Sequence, residues 1–364
     1  MKSEDLFSAL GKIDDSFIEN AVPKKQPIYK KSIFKWTAAV AACLCVLVAG
    51  HSAASLLTAR DSKLTQISCS IYFDGMGYEG TDELSLSNSQ DINPWNENTQ
   101  LETLPVYKNL CYNGGELGQT YFNVLELKKQ AEELADKLGV HYARTQISIS
   151  NSDEVNNFTI ETDKGTIRAF PKSSNITVSK NNSFLIEKHM QSAFEMYNDG
   201  ETVSGIYTEY SIDGELLIRE TRTYCKTGNI TDDIISFNMH SHYLTENGNY
   251  ITGRSDDYLK GTEKMGDYPV ISLQEAKQKL LKGDYVSSAD ESNVEGGKIT
   301  EDVIEKVDLI YYTTGNQEYY LPFYRFYVKY SQGANDIQAY AYFYVCAVSE
   351  EYTDGITVFD GSFQ

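Results

Sequence analysis

The sequence predicts an α+β protein: an N-terminal cytoplasmic helix, one transmembrane helix, and a strand-rich extracytoplasmic region of two helix-plus-antiparallel-sheet modules. Three observations carry that reading. Residues 1–35 hold an apolar stripe at helical spacing, residues 36–57 carry no formal charge, and the rest of the chain alternates like strands around two amphipathic helices. A chain of 364 residues also exceeds one ordinary core.

The first element is "MKSEDLFSALGKIDDSFIENA". Its apolar residues Leu6, Phe7, Leu10, Ile13, Phe17 and Ile18 recur at intervals of three and four, with Ser3 placed as an N-cap and acids in the first turn. Gly11 weakens this helix by about 1 kcal/mol relative to Ala. A helix this short cannot bury its stripe unaided. These six residues are therefore the candidate docking face, for the inner leaflet, for a second copy, or for a cytoplasmic regulatory protein.

Trp36 to Leu57 is 22 residues without formal charge. As a helix it would reach about 33 Å, against a hydrocarbon core of about 30 Å. Lys24, Lys25, Lys30, Lys31 and Lys35 precede it, whereas Arg60 and Lys63 follow beside Asp61. The lysine excess places the N-terminus in the cytoplasm and the C-terminal region outside, so the protein is expected to span the cell membrane once. A cleaved signal could end at Ser52-Ala53-Ala54, but 35 residues ahead of the apolar run are too many for a secretory n-region. Lipidation at Cys43 is disfavoured because the apolar run continues past it.

The chain has 32 basic and 52 acidic residues, a net charge of -20, and the whole deficit lies beyond residue 35. Such acidity argues against nucleic acid as a partner, since phosphates demand clustered Lys and Arg. The expected divisions are 1–35, cytoplasmic helix and basic linker; 36–58, transmembrane helix; 59–120, strand and loop linker; 121–262, first α+β module; and 263–364, second α+β module.

The first module opens with the helix "NVLELKKQAEELADKLG", with Leu125, Leu127, Ala131, Leu134 and Leu138 as its core face and Gly139 as its stop. Strands follow in "RTQISIS", in the hairpin "FTIETDKGTIRAF", and in "NITVS". "SGIYTEYSIDGELLIRETRTY" reads as a second hairpin with Asp213-Gly214 at its tip, and Tyr207, Tyr210, Leu216 and Ile218 are expected to pack on the sheet. "DIISFNMHSHYL" is expected to extend that sheet. In the second module, Ser272 and Glu275 make a capping box, Ala276, Leu280 and Leu281 supply the buried face, and Gly283 ends the helix. "DVIEKVDLIYYTT", "EYYLPFYRFYVKY" and "IQAYAYFYVCAV" are strands, the middle one apolar on both faces and so central, with Pro322 at a bulge or a strand start.

The segments "YPVISLQEAKQKLLKGDY", "YYLPFYRFYVKY" and "AYAYFYVCAVSEEY" and the closing "DGSF" carry a resemblance. Together with "LFSALGKIDDSFIENA", "AAVAACLCVLVAG" and "LPVYKN", they make the chain similar to a family of uncharacterised single-pass membrane proteins of clostridial and related Gram-positive bacteria. The helix-then-meander modules resemble PepSY-like and two-component regulatory ectodomains. Cys346 stands where the pattern would have a strand proline. The resemblance implies topology and a regulatory role; it supplies no catalytic residues.

Motifs for chemistry are sparse. His240 and His242 are spaced to face one way on a strand and could chelate a metal with Asp232 or Asp233, but no third histidine is near in sequence. There is no G-x-S-x-G, H-E-x-x-H or phosphate loop, and the adjacent acids Asp232-Asp233 and Asp256-Asp257 point apart in extended chain. Cys69, Cys111, Cys225 and Cys346 could pair as disulfides in three connectivities, but the cores expected here do not require them, and buried thiols are the preferred reading. No catalytic, cofactor-binding or metal-binding residue is assigned, and no cofactor is expected. The expected function is a non-catalytic, membrane-anchored extracytoplasmic binding or regulatory protein, taking a cell-envelope protein, peptide or glycan as partner. The alternative is an extracellular carbohydrate-binding or hydrolytic protein using Trp95, Tyr112 and neighbouring acids in the loop 88–120.

Overall fold

The computed structural model describes residues 64–68, 70–71, 78–79, 92–112, 124–142, 147–151, 156–197, 200–210, 216–313, 317–330, 338–354 and 356–358. Residues 64–364 make one compact unit. Its strands are β1 (Ser70–Ile71), β2 (Tyr78–Glu79), β3 (Thr103–Asn109), β4 (Ile147–Asn151), β5 (Asn156–Glu161), β6 (Gly165–Phe170), β7 (Ser173–Ser179), β8 (Glu201–Tyr210) and β9 (Leu216–Lys226). They continue as β10 (Ser241–Asn247), β11 (Tyr250–Asp256), β12 (Thr262–Pro269), β13 (Ile304–Tyr311), β14 (Tyr319–Tyr320), β15 (Pro322–Tyr330), β16 (Ala339–Cys346) and β17 (Thr357–Val358). The helices are α1 (Val124–Leu138), α2 (Phe184–Ala193), α3 (Ile230–Met239) and α4 (Leu273–Leu281).

An eight-stranded antiparallel sheet runs β4-β5-β6-β7-β11-β10-β9-β8. Two meanders thus meet edge to edge where β7 pairs β11. Helices α1 and α2 cover one face, burying Leu127, Ala131, Leu134, Leu138, Leu185 and Ile186 on Phe158, Ile160, Ile167, Ile176 and Val178. A three-stranded sheet, β12-β3-β14, and a four-stranded sheet, β13-β15-β16-β2, make the C-terminal side. One face of the four-stranded sheet packs Tyr324, Phe326 and Phe343 with Trp95, Ala276 and Leu280, and the other packs Phe323, Tyr327 and Tyr342 with Ile67 and Tyr268.

The expected fold class is corrected. Among the described residues the unit is strand-rich, with four α-helices of 15, 10, 10 and 9 residues. Among the described residues, no helix is long and apolar enough to cross a membrane. The expected cytoplasmic helix and the expected span lie outside the described residues. Ile234, Ile235 and Met239 of α3, from the expected first module, sit in the same cluster as Leu280, Tyr324 and Phe343 of the expected second. From the expected linker, β3 becomes the centre of a sheet between β12 and β14.

Local chemistry explains which elements held. Ser272 Oγ accepts from Glu275 N at 3.2 Å, capping α4. Gly139 and Gly283 follow α1 and α4 at φ 70° and 84°, a conformation costly for a side chain with a Cβ. Pro322 is the first residue of the central strand β15, where its missing donor costs little. On α1 the buried face is Leu127, Ala131, Leu134, Ala135 and Leu138, while Leu125, expected inside, is 60% exposed. Tyr207 is also exposed. Of residues 233–244, expected as strand, 233–239 lie in helix α3 and 241–244 in β10. Asn229 Oδ1 accepts from Thr231 N and Asp232 N, and Asp233 Oδ1 accepts from Thr227 N and Gly228 N, so the local capping chemistry overrides β-propensity.

Candidate functional site

Register puts two polar rows on opposite faces of the eight-stranded sheet. On the helix-covered face, the pairings Thr223↔His242, His242↔Ser255 and Ser255↔Ser174 align a row of hydroxyls and one imidazole. On the other face, one residue along, Arg222↔Tyr243, Tyr243↔Arg254 and Arg254↔Asn175 align a row of cations around one tyrosine. The alternation of strand side chains makes the two rows inevitable neighbours.

The second row opens into a cavity of about 300 Å³ shared with the four-stranded sheet. From the first sheet it takes Arg222, Tyr243, Arg254 and Asp256, with Tyr258 just beyond β11; from the second come Lys306, Asp308, Arg325 and Tyr327. Arg254 and Arg222 lie 4.2 and 5.4 Å from the Tyr243 ring centroid, and Arg222 also stacks on Phe237 at 3.7 Å. Across the cleft, Asp308 receives Arg325 Nη2 at 3.1 Å, the Tyr327 hydroxyl at 2.7 Å and Lys306 Nζ at 3.2 Å. Burial opposes charge on Asp308, yet Arg325 and Lys306 hold its carboxyl below the usual range. Asp256 is different: burial raises its pKa despite Arg254 and Arg222.

The cations are not fully consumed. Arg222 donates to Phe237 O and Ser241 Oγ, both neutral. Arg254 Nε is buried and ion-paired to Asp256 Oδ1 at 3.1 Å. Arg325 Nε and Asn175 Oδ1 are buried without a hydrogen-bond partner. Such orphans are uncommon inside proteins and mark a place where something else is meant to bind or where water enters.

The first row faces a second cavity, about 320 Å³, lined by His189, Ser174, Ser255, His240 and Asp257 with Lys172 and Lys260. Ser255 Oγ lies 2.8 Å from His242 Nδ1 and 3.3 Å from His189 Nε2, and the two rings meet edge to face at 5.2 Å. Burial lowers His189 to about 3, helped by His242, and lowers His242 to about 4, helped by Arg254. Both rings are neutral at pH 7. If both donate to Ser255, the unpartnered His189 Nδ1 and His242 Nε2 are lone pairs rather than N–H groups, the cheaper orphans. For nucleophilic catalysis the arrangement lacks a carboxylate on the far nitrogen of His242, and a base titrating near 4 removes a serine proton poorly at neutral pH.

His240 and His242 do not converge on a metal. His240 sits at the C-cap of α3, with Nε2 2.6 Å from Ala193 O and Nδ1 3.6 Å from Asp257 Oδ1, whereas His242 is committed to Ser255. Among the described residues no group of three or more His, Cys, Asp or Glu could hold a metal ion. Trp95 is 3% exposed and packs edge-on to Tyr324 at 5.7 Å, so it is core and offers no platform to a sugar. Tyr112 is half-buried. Cys111 and Cys225 are free thiols, and Cys346 is half-buried. The docking candidates Leu6, Phe7, Leu10, Ile13, Phe17 and Ile18 lie outside the described residues, as does Cys69. Sequence reading missed the cleft, because its residues are brought together by pairing between strands distant in the chain. The available signal was charge inside strands, "RETR", "GRSD" and "EKVD", where half-buried positions normally carry apolar residues.

No protein-family model, curated protein or solved structure matches the chain.

Proposed function

We propose that residues 64–364 form a non-catalytic binding module and that its ligand is taken up in the arginine–tyrosine cleft. The carrying observation is the set of guanidinium groups fixed on aromatic rings with nitrogen left over, in a concave space large enough for a small ligand or a peptide end. An ion-pair network that served stability alone would be expected to end each buried N–H on a partner. Stacking on Tyr243 and Phe237 supports pre-organisation, which reduces the entropy lost when a ligand binds.

The module's place at the outer face of the cell membrane, and a regulatory output through Leu6, Phe7, Leu10, Ile13, Phe17 and Ile18 to a cytoplasmic protein, rest on the sequence of residues 1–57. The acidic balance beyond residue 35 favours partners other than nucleic acid and anionic lipid. The experiment is an array of cell-wall peptides and glycans, neutral and anionic, probed with the full-length protein and with its Arg254→Lys variant. Binding that weakens in the variant supports the cleft as the site; binding unchanged by it, or none to any member, overturns the reading.

A further inference from the structure

We infer that Cys111 and Lys172 form a modification site: hydrogen peroxide oxidises the thiol, and the lysine amine captures the product as a covalent S–N bridge. Both residues lie outside the arginine–tyrosine cleft, and the inference is independent of what that cleft binds.

The two groups come from distant strands and meet at one glycine. Cys111 follows the end of β3, Lys172 lies in the turn between β6 and β7, and Gly261 stands just before β12. A Cβ on Gly261 would lie 2.9 Å from Cys111 Sγ and 3.7 Å from Lys172 Nζ, so the sulfur and the nitrogen border one small space. Leu110 N donates to Gly261 O at 3.0 Å, which holds the end of β3 against that glycine. Cys111 is half-buried and within reach of a molecule as small as peroxide. Lys172 is only 7% exposed, a rare place for an amine; its Nζ donates to Tyr258 O and Lys260 O and lies 5.5 Å from the Tyr320 ring centroid. Tyr320 supplies a second observation. It is 0% exposed, its hydroxyl has no hydrogen-bond partner, and Cys111 acts on it electrostatically. An oxygen added to Cys111 brings an acceptor into the neighbourhood of that orphaned hydroxyl.

The chemistry closes in two steps. The Cys111 thiolate attacks one peroxide oxygen, the O–O bond breaks, hydroxide leaves and is protonated to water, and the sulfur becomes a sulfenic acid. The Lys172 lone pair then attacks that sulfur, the S–O bond breaks, the oxygen leaves as water with the proton lost from nitrogen, and an S–N bond joins the side chains. Sulfur is oxidised by two electrons, one peroxide is reduced, and no other reagent is consumed. The amine must be neutral to attack. Burial lowers the Lys172 pKa while the Cys111 charge raises it, so converting the thiolate to a neutral sulfenic acid removes part of what keeps the amine protonated. A neutral amine keeps two N–H groups, enough for both carbonyls, and has a lone pair for sulfur. Cys225 is the internal contrast. It is 2% exposed, and burial and Asp233 both raise its pKa, so access and thiolate are both lacking.

The test exposes the full-length protein to hydrogen peroxide and maps its peptides by mass spectrometry, with and without dithiothreitol. The expected result is a Cys111 peptide joined to a Lys172 peptide, about 2 Da lighter than the two free peptides together, absent without peroxide and released by dithiothreitol, while Cys225 stays a thiol. Cys111→Ser should abolish the bridge. Lys172→Arg should abolish it too and leave a sulfenic acid at Cys111 that dimedone traps. In the wild type, Cys111 left unoxidised, Cys111 carried on to sulfinic acid with Lys172 free, or a bridge from Cys111 to Lys260 instead would each overturn the inference. The wild-type map decides on its own, whatever the folding of the variants.

Discussion

Replacing the two buried imidazoles should remove a defined share of the protein's acid sensitivity. His189 and His242 are 1% and 2% exposed and stay neutral in the folded protein down to about 3 and about 4. In the unfolded chain each would take a proton near 6.5, so below that pH the unfolded state binds more protons and stability rises with pH. The contribution is complete above the unfolded value and is lost as pH falls from about 6.5 toward the folded values. Between pH 7.5 and pH 5.0 each ring costs about 2 kcal/mol and the pair about 4 kcal/mol, on 1.4 kcal/mol per pH unit. His240 works in the opposite sense: burial disfavours its charge, but Asp257 and Ala193 O leave its pKa raised, so its contribution is present at low pH and fades as pH rises through the folded value. Urea unfolding of wild type and of His189→Gln/His242→Asn at both pH values isolates the pair, because every other group cancels in the difference. The variant should lose about 4 kcal/mol less than wild type on acidification. Parallel losses in the two proteins would refute the neutral-pair assignment.

Three further outcomes follow from the same geometry. Asp308→Asn leaves Lys306 and Arg325 without their shared carboxylate and should cost about 2–3 kcal/mol in urea unfolding, below a fully buried pair because those side chains keep 22% and 24% exposure. The stability held by that carboxylate is present above about 3.9 and is lost as pH falls through its depressed folded value. Trp95→Ala should cost about 3–5 kcal/mol, read as a lowered melting temperature, and should leave ligand binding per folded molecule unchanged. External protease added to intact protoplasts should digest residues 64–364; full protection would contradict the extracytoplasmic placement.

Much of the secondary structure was legible because its causes are local. Ser272 with Glu275, the glycines after α1 and α4, and the apolar spacing of Leu127, Ala131, Leu134 and Leu138 act within a few residues of one another. Helix α3 was misread since Ile234, Ile235, Phe237 and Met239 suit a strand as well as a helix, and the decision lies with the side chains of Asn229 and Asp233. The edge-to-edge joining of the two meanders was not legible either, because β7 and β11 are 70 residues apart and no turn links them. The candidate site inherits that difficulty. Arg222, Tyr243 and Arg254 form one row only once the β9-β10-β11 register is known, and Lys306 and Arg325 reach them from another sheet.

The most direct test of the cleft is side-chain NMR of the arginine Nε–H groups during titration of the full-length protein with whichever cell-wall peptide or glycan of the array it binds most tightly. Saturable shifts at Arg254, Arg222 and Arg325, with the exposed Arg219 unmoved, are the predicted result. Uniform small shifts at all arginines, or none at the three, would contradict it.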